Sequence, residues 1–285
     1  MTTTMDIKMV DTVGQYRHIQ AEVDAAIREV LETGAYINGP ATKRFTENFA
    51  KYLGAKAVIP CANGTDALQI ALMALDLQPG DEVITSPFTF FATAEVIAIL
   101  GLIPVFVDIN PDTFNLDPAK LEAAITPETR CIIPVHLFGL TCDMEPIMQL
   151  ADKHGIWVIE DNAQAIGSEY TFQDGRKQKA GLIGHIGSTS FYPSKNLGAY
   201  GDAGALYTND PVLAEKLLMI CNHGARKKYH HERIGVNSRL DTIQAAVLDA
   251  KLKHLDAYTA ARQQAAAWYD ELLGHVEGIS LPGRP

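Results

Sequence analysis

Apolar residues follow two rhythms along this chain. Between residues 13 and 31, Ile19, Val23, Ile27, Val30 and Leu31 recur at helical spacing, which predicts one amphipathic helix stopping near Thr33-Gly34. Tyr36, Ile37, Asn38, Gly39 and Pro40 read as a connection. A second amphipathic helix then carries Phe45, Phe49 and Tyr52 and ends at Gly54. From Ala57 onward, short apolar runs alternate with helical patterns. Strands are predicted over 57–61, 82–85, 103–107, 131–136, 157–160, 188–191 and 205–208, and helices over 65–75, 92–100, 118–124, 144–153 and 212–221. Such alternation needs crossover connections, which make strands parallel and cover both sheet faces with helices. Nearly unbroken apolar runs such as CIIPV and IWVIE fit strands buried on both sides. The fold class is therefore α/β, a mostly parallel seven-stranded sheet sandwiched by helices. After Arg239 the pattern is long, helical and free of proline as far as Gly274. The expected organisation is a large domain over 1–240, N-terminal helices included, followed by long helices over 241–285. These lead into a small C-terminal domain expected to be incomplete in this chain. The tail GISLPGRP reads as loop.

Composition narrows the function more than the fold. The 285 residues are 47% hydrophobic and 20% charged, ordinary globular values. Charges sum to 24 − 34 = −10 with no basic tail, which argues against a nucleic-acid partner. Cys61, Cys131, Cys142 and Cys221 are scattered without a CxxC pair, so buried reduced thiols are expected rather than a zinc ribbon or a disulfide framework. The N-terminal MTTTMDIKMVD has no apolar signal core, and no stretch of about 18 apolar residues occurs. A cytoplasmic protein without membrane contact is expected, and the Asn63-Gly64-Thr65 sequon is read as coincidence.

Ligands of open α/β sheets sit beyond the carboxyl ends of the strands. The polar residues at those ends are Asn63-Gly64-Thr65, the stretch from Phe88 to Phe91, His136, and Asp161 to Gln164. Asn63-Gly64-Thr65 combines a strand end, a turn and a helix start. Unpaired helix amides there make an anion seat, with Thr65 adding a hydroxyl, although the same residues also serve as a plain N-cap. Among the three aromatics after the second sheet strand, Phe90 is the candidate face for a planar heteroaromatic ring; core filling is the alternative. Asp161 ends an apolar strand and, if buried, needs a partner such as a pyridinium N–H; capping a turn is the competing role. The stretch GSTSFYPSKNLGAYGDAG places Lys195 in a polar loop flanked by glycines. Lys195 suits an amine held against a phosphorylated aldehyde, with pyridoxal 5'-phosphate the candidate, or else is one more solvated lysine. Ser190, five residues earlier, could share the phosphate with Thr65. Gly198, Gly201 and Gly204 match a dinucleotide fingerprint only superficially, lacking the strand–turn–helix context. The basic run 226–233 could attract an anionic substrate or be a solvated loop. Its histidine pair lacks further ligands at metal spacing, so no metal site is expected.

Together, ANGTDAL, SPFTFFATAE, IEDNAQAIGS, TSFYPSKNLG and GVNSRLDTIQAA resemble the sugar aminotransferases of the DegT/DnrJ/EryC1/StrS family, from about Tyr36 to Leu273. The segment HGARKKYHHERIGVNSRLDTIQAA is similar to the members acting on UDP-2-acetamido-2-deoxy-3-oxo-glucuronate in bacterial surface-polysaccharide synthesis, lipopolysaccharide included. The resemblance implies the fold-type I architecture and a pyridoxal-phosphate-dependent transfer of an amino group from glutamate to C3 of a 3-oxo nucleotide sugar. It implies Lys195 as the Schiff-base lysine, Asp161 facing the pyridinium nitrogen, Gln164 at the ring hydroxyl oxygen, and Phe90 stacking on the ring. Gly64, Thr65 and Ser190 would hold the phosphate. Asn237 would reach the phosphate in the neighbouring subunit, which requires a homodimer. Gly34, Tyr36, Ser194 and Arg239 would line the sugar site, Arg239 opposite the uronate carboxylate in a two-pronged pairing. The chain departs from the family at Ile166, where histidine is often found. It keeps Lys195 where a relative catalysing 3-dehydration has histidine, which favours transamination. Two alternatives stay open: a dTDP-3-oxo-6-deoxyhexose as acceptor, or a non-catalytic regulator that only binds the cofactor.

Overall fold

A computed structural model describes residues 8–283; residues 1–7, Arg284 and Pro285 lie outside the described part, so the tail reading holds for 279–283, which form no regular element. The predicted N-terminal helix is split at Ile19 into α1 (Thr12–His18) and α2 (Gln20–Thr33). Ile19 leaves helical geometry and is drawn into an apolar cluster with Val23, Val247 and Ala250. α2 ends at Gly34, whose left-handed φ of 65° suits glycine. α3 (Pro40–Leu53) opens on proline and ends the same way at Gly54.

The alternating part follows in order: β1 (Ala57–Cys61), α4 (Gly64–Ala74), β2 (Glu82–Thr85), α5 (Ala92–Ile99), β3 (Ile103–Phe106), α6 (Pro118–Ala124), β4 (Thr129–Ile133), α7 (Met144–His154) and β5 (Trp157–Asp161). A small hairpin of β6 (Glu169–Thr171) and β7 (Lys177–Lys179) precedes β8 (Ile186–Ser190), β9 (Gly204–Thr208) and α8 (Pro211–Cys221). A second hairpin, β10 (Ala225–Lys227) with β11 (His230–His231), leads to α9 (Thr242–Leu252) and α10 (Leu255–Leu273). Neither hairpin was expected, because their short polar strands carry no apolar run. β4 stops earlier than expected: Pro134 has no N–H to give, and beyond it Val135 makes only an isolated bridge to Asp161.

The seven-stranded sheet has the order β1-β9-β8-β5-β4-β2-β3. Its pairings are parallel except that β9 runs antiparallel to both β1 and β8. Alternate residues of each strand feed different cores, as the two-residue period of a strand requires. Ile59, Val83, Cys131, Ile133, Ile159 and Leu206 pack with α4, α5 and α8. On the other face Ile84, Ile132 and Val158 meet α6 and α7, while Val58, Ala205 and Tyr207 meet α3 and α9. Phe45, Phe49 and Phe191 interlock there at centroid distances of 5.4–5.5 Å. α9 is buried along most of its length, whereas the only buried residue of α10 is Leu255. The four cysteines are buried and unpaired, as expected.

Candidate active site

Beyond the carboxyl ends of the strands lies a cavity of about 760 Å³. Its wall includes Gly64, Thr65, Phe90, Asp161, Gln164, Ser190, Ser194 and Lys195, eight residues singled out from sequence and spread over some 130 positions. The first turn of α4 closes one end. Asn63 caps it by accepting the Asp66 N–H at 2.7 Å, and the amides of Gly64 and Thr65 have no acceptor within the helix. The approach of β8 to this turn demands bare backbone: a Cβ on Gly64 would stand 2.5 Å from the Ser190 Cβ. These amides, with the positive end of the helix dipole and two hydroxyls nearby, could hold a phosphate-sized anion.

Asp161 lies at the end of β5 and is only 6% exposed. Its carboxylate accepts the Thr93 hydroxyl at 2.9 Å and the Ala163 N–H at 3.1 Å. Burial pushes its pKa up, against the pull of those hydrogen bonds and of Lys195. Lys195 is half-buried, and burial lowers its pKa, against the pull of Asp161. The cavity thus holds an under-compensated carboxylate and an amine inclined to be neutral. Gln164 accepts the Phe138 N–H through Oε1 at 2.8 Å, which leaves its amide N–H groups as donors. The ring of Phe90 is 71% exposed at the rim.

The lysine loop is held from both sides. Lys251, a buried residue of α9, donates to the Gly198 carbonyl at 2.5 Å; Gln244 accepts the Tyr200 N–H at 2.8 Å; Asn196 donates to the Ile166 carbonyl at 2.6 Å. Glu160, next to Asp161, is fully buried. It accepts the N–H groups of Gly181, Ile183 and Gly184 at 2.6–2.7 Å and faces His136 Nε2 at 2.8 Å. Cys142 donates its N–H to His136 Nδ1, so Nε2 carries the proton given to Glu160. His136 is thus a support beneath the site rather than part of its wall.

The other four candidates lie outside this cavity. Gly34 ends α2, and Tyr36 follows, half exposed, its carbonyl accepting the Thr242 N–H at 2.9 Å. Asn237 is exposed and bridges Asn222; Arg239 is half-buried and has no ion-pair partner among the described residues. Their segments adjoin through the bridge from Ile37 to Asp241. Ser238, unnoticed in the sequence, ties this region to the cavity by donating to Asp66 at 2.6 Å and accepting the Ala62 N–H at 2.9 Å. Thr89 and Thr93 were also missed, because each reads as a routine loop or helix residue. In the basic run, Arg226 pairs with Glu215 and Glu232 and Arg233 with Asp76, so much of its charge is spoken for.

At the strand ends of the α/β sheet, one cavity thus brings together unpaired helix amides, a lysine and a buried aspartate. The family model of the DegT/DnrJ/EryC1/StrS aminotransferases matches residues 17–284, and the chain belongs to that family. It is 50% identical over 276 residues to UDP-2-acetamido-2-deoxy-3-oxo-D-glucuronate aminotransferase of Pseudomonas aeruginosa, covering 97% of this chain and 75% of that protein. Among solved structures, DesV of S. venezuelae, in complex with a ketimine intermediate, superposes with TM-score 0.93 at 44% identity, over 98% of this chain and 74% of that one. NtdA of Bacillus subtilis, with the cofactor PMP bound, gives 0.86 at 36% identity, over 99% of this chain and 65% of that one.

Proposed function

We propose that this chain is a pyridoxal-phosphate-dependent aminotransferase that delivers an amino group from glutamate to C3 of a 3-oxo nucleotide sugar. The favoured acceptor is UDP-2-acetamido-2-deoxy-3-oxo-glucuronate, within cytoplasmic synthesis of bacterial surface polysaccharide such as lipopolysaccharide. The observation that carries the reading is one cavity holding both Lys195 and the buried Asp161, with the α4 anion seat in the same wall. The residues fit the cofactor on their own chemistry. Asp161 is a buried carboxylate whose charge a pyridinium N–H would compensate, and the α4 amides offer donors to a phosphate.

When bound, pyridoxal phosphate supplies an electron sink for charge developed at the substrate carbon. In this assignment the amides of Gly64 and Thr65, with the Thr65 and Ser190 hydroxyls, hold the phosphate. Phe90 would cover a ring face, Gln164 would donate to the ring oxygen, and an ionised Asp161 would favour the protonated ring nitrogen. Lys195, its ammonium destabilised by burial, would offer a neutral amine to hold the aldehyde group and would serve as the base and acid that moves a proton during the transfer. Ser194, Gly34, Tyr36 and Arg239 are assigned to the sugar, with the Arg239 guanidinium, which has no ion-pair partner among the described residues, for the uronate carboxylate.

A homodimer belongs to the same reading. Phe90, Phe91 and Phe138 expose 69–73% of their surface, and Asn237 is free to act in a neighbour's site.

The test is to add glutamate to the cofactor-loaded protein and then offer 3-oxo nucleotide sugars, following cofactor absorbance. The aldehyde band should fall with glutamate and return with the uronate. No response to glutamate sinks the reading. Return with a dTDP-3-oxo-6-deoxyhexose, but not with the uronate, transfers it to that acceptor.

A further inference from the structure

Transamination at this site requires a negative charge on Asp161, and burial opposes it. The carboxylate draws two hydrogen bonds from the chain: Ala163 N–H to Oδ1 at 3.1 Å and the Thr93 hydroxyl to Oδ2 at 2.9 Å. Thr93 is fully buried in the first turn of α5, and its Oγ1 lies 3.0 Å from that of Thr89. The pair meets because the chain turns tightly there, with the Thr93 N–H on the Phe90 carbonyl and the Ala94 N–H on that of Phe91. Both threonines belong to the cavity wall.

The direction of these bonds comes from counting protons. Each hydroxyl has one. An ionised Asp161 can only accept, so Thr93 donates to it and has only lone pairs left for Thr89. Thr89 is then the donor, and the chain runs Thr89 to Thr93 to Asp161. Polarisation of each hydroxyl by the next strengthens both bonds, Thr93 being fully buried and Thr89 half-buried. Threonine suits the task, since its branched Cβ leaves few χ1 states and holds the hydroxyl in place.

Resting on the aminotransferase reading, we infer that Thr89 and Thr93 form a directed hydroxyl chain that keeps Asp161 ionised and fixed, making Thr93 a positioning residue for the cofactor's ring nitrogen. Removing a hydrogen bond to the charged form favours the protonated carboxyl. The Thr93→Val protein therefore takes up a proton at Asp161 at higher pH than wild type. The titratable groups that face Asp161 from other elements are Lys195 and His136, and both are kept in the variant. Because the carboxylate is the form that binds the pyridinium, affinity declines as pH falls through the Asp161 titration, and in the variant that decline begins earlier.

The experiment titrates cofactor-free protein with pyridoxal phosphate across a pH series and reads Kd by fluorescence, with a thermal melt of each protein alongside. Thr93→Val, nearly isosteric, should weaken binding about tenfold on the acid side and move the break in the Kd–pH curve up by about one unit, since each unit corresponds to a factor of ten. Thr93→Ser, which keeps the hydroxyl, should restore the wild-type break. Thr89→Val should move the break in the same direction by a smaller step, because Thr93 still donates to Asp161. A Thr93→Val protein with a lowered melting temperature and an unmoved break has lost only packing, and overturns the inference. If Thr93→Val does not fold, an unmoved break in Thr89→Val overturns it. Wild-type protein that binds no pyridoxal phosphate defeats the aminotransferase reading itself, a result separate from any of these.

Discussion

The wall of the cavity and the region outside it that bears Tyr36 and Arg239 are built on different principles. Inside, Asp161 and Lys195 are carried by a strand end and a loop that other elements pin. Asp161 terminates β5 and is held by Thr93 and Ala163; the Lys195 loop is held by Lys251, Gln244 and Asn196. Outside, Tyr36 is half exposed, Asn237 is exposed, and Arg239 lacks an ion-pair partner among the described residues. Groups that orient a cofactor must be fixed before it arrives, since preorganisation is what makes their electrostatics effective. Groups that meet a variable substrate, or a neighbouring subunit, can be left on the surface. In the proposed assignment one subunit supplies the lysine, the aspartate and the anion seat, Asn237 of the neighbouring subunit adds a phosphate contact, and the sugar is met both by Ser194 in the cavity wall and by residues outside it.

Changes in the cavity wall should act on cofactor binding and on the glutamate half-reaction, whereas a change at Arg239 should act on recognition of the sugar alone. The largest effect is expected from Lys195→Ala: single-turnover reaction with glutamate should slow by a factor on the order of 10³ or more, and borohydride should no longer fix cofactor to the chain. Retained turnover would break the inner half of the comparison. Next, Arg239→Ala should raise KM for a uronate sugar by about 10- to 100-fold, the worth of a charge-assisted hydrogen bond, while the glutamate half-reaction stays unchanged. If the glutamate step falls equally, Arg239 belongs to the inner site after all. Gly64→Ala forces a Cβ to within 2.5 Å of the Ser190 Cβ. Overpacking of this kind costs about 1–3 kcal/mol, so cofactor affinity should drop roughly tenfold, measured by equilibrium dialysis against pyridoxal phosphate.

The smallest effect sharpens the electrostatic side. Burial lowers the Lys195 pKa, so the neutral amine appears at lower pH than for a solvated lysine. In cofactor-free protein, the rate at which the amine captures pyridoxal phosphate should rise with pH and level off before the ordinary lysine range. Asp161→Asn removes the opposing charge that favours the ammonium, so the plateau should arrive at still lower pH. A plateau that moves upward would show the two groups to be uncoupled.

Sheet strands were legible because continuous apolar runs have one stable destination, a sheet covered on both faces. β1 and β2 begin and end where the pattern places them. The β6–β7 and β10–β11 hairpins were not legible, since strands of two or three mostly polar residues are decided by neighbours rather than by their own pattern. The break at Ile19 escaped for a similar reason: helical spacing continues through it, and only the pull of Val247 and Ala250, far away in the chain, bends it inward.

By itself the sequence determined which residues could do chemistry: a lysine in a glycine-flanked loop, an acid ending an apolar strand, and a helix start with capping residues. Those are local properties, fixed by side-chain type and by the two or three residues on either side. The family resemblance implied that Lys195, Asp161 and Gly64 meet at one cofactor, and the structure places them in one cavity; only the tertiary structure decided that Thr93 rather than some other donor meets Asp161 and that Arg239 stays apart. Distances between residues remote in sequence depend on how whole strands and helices pack, and no local pattern encodes them.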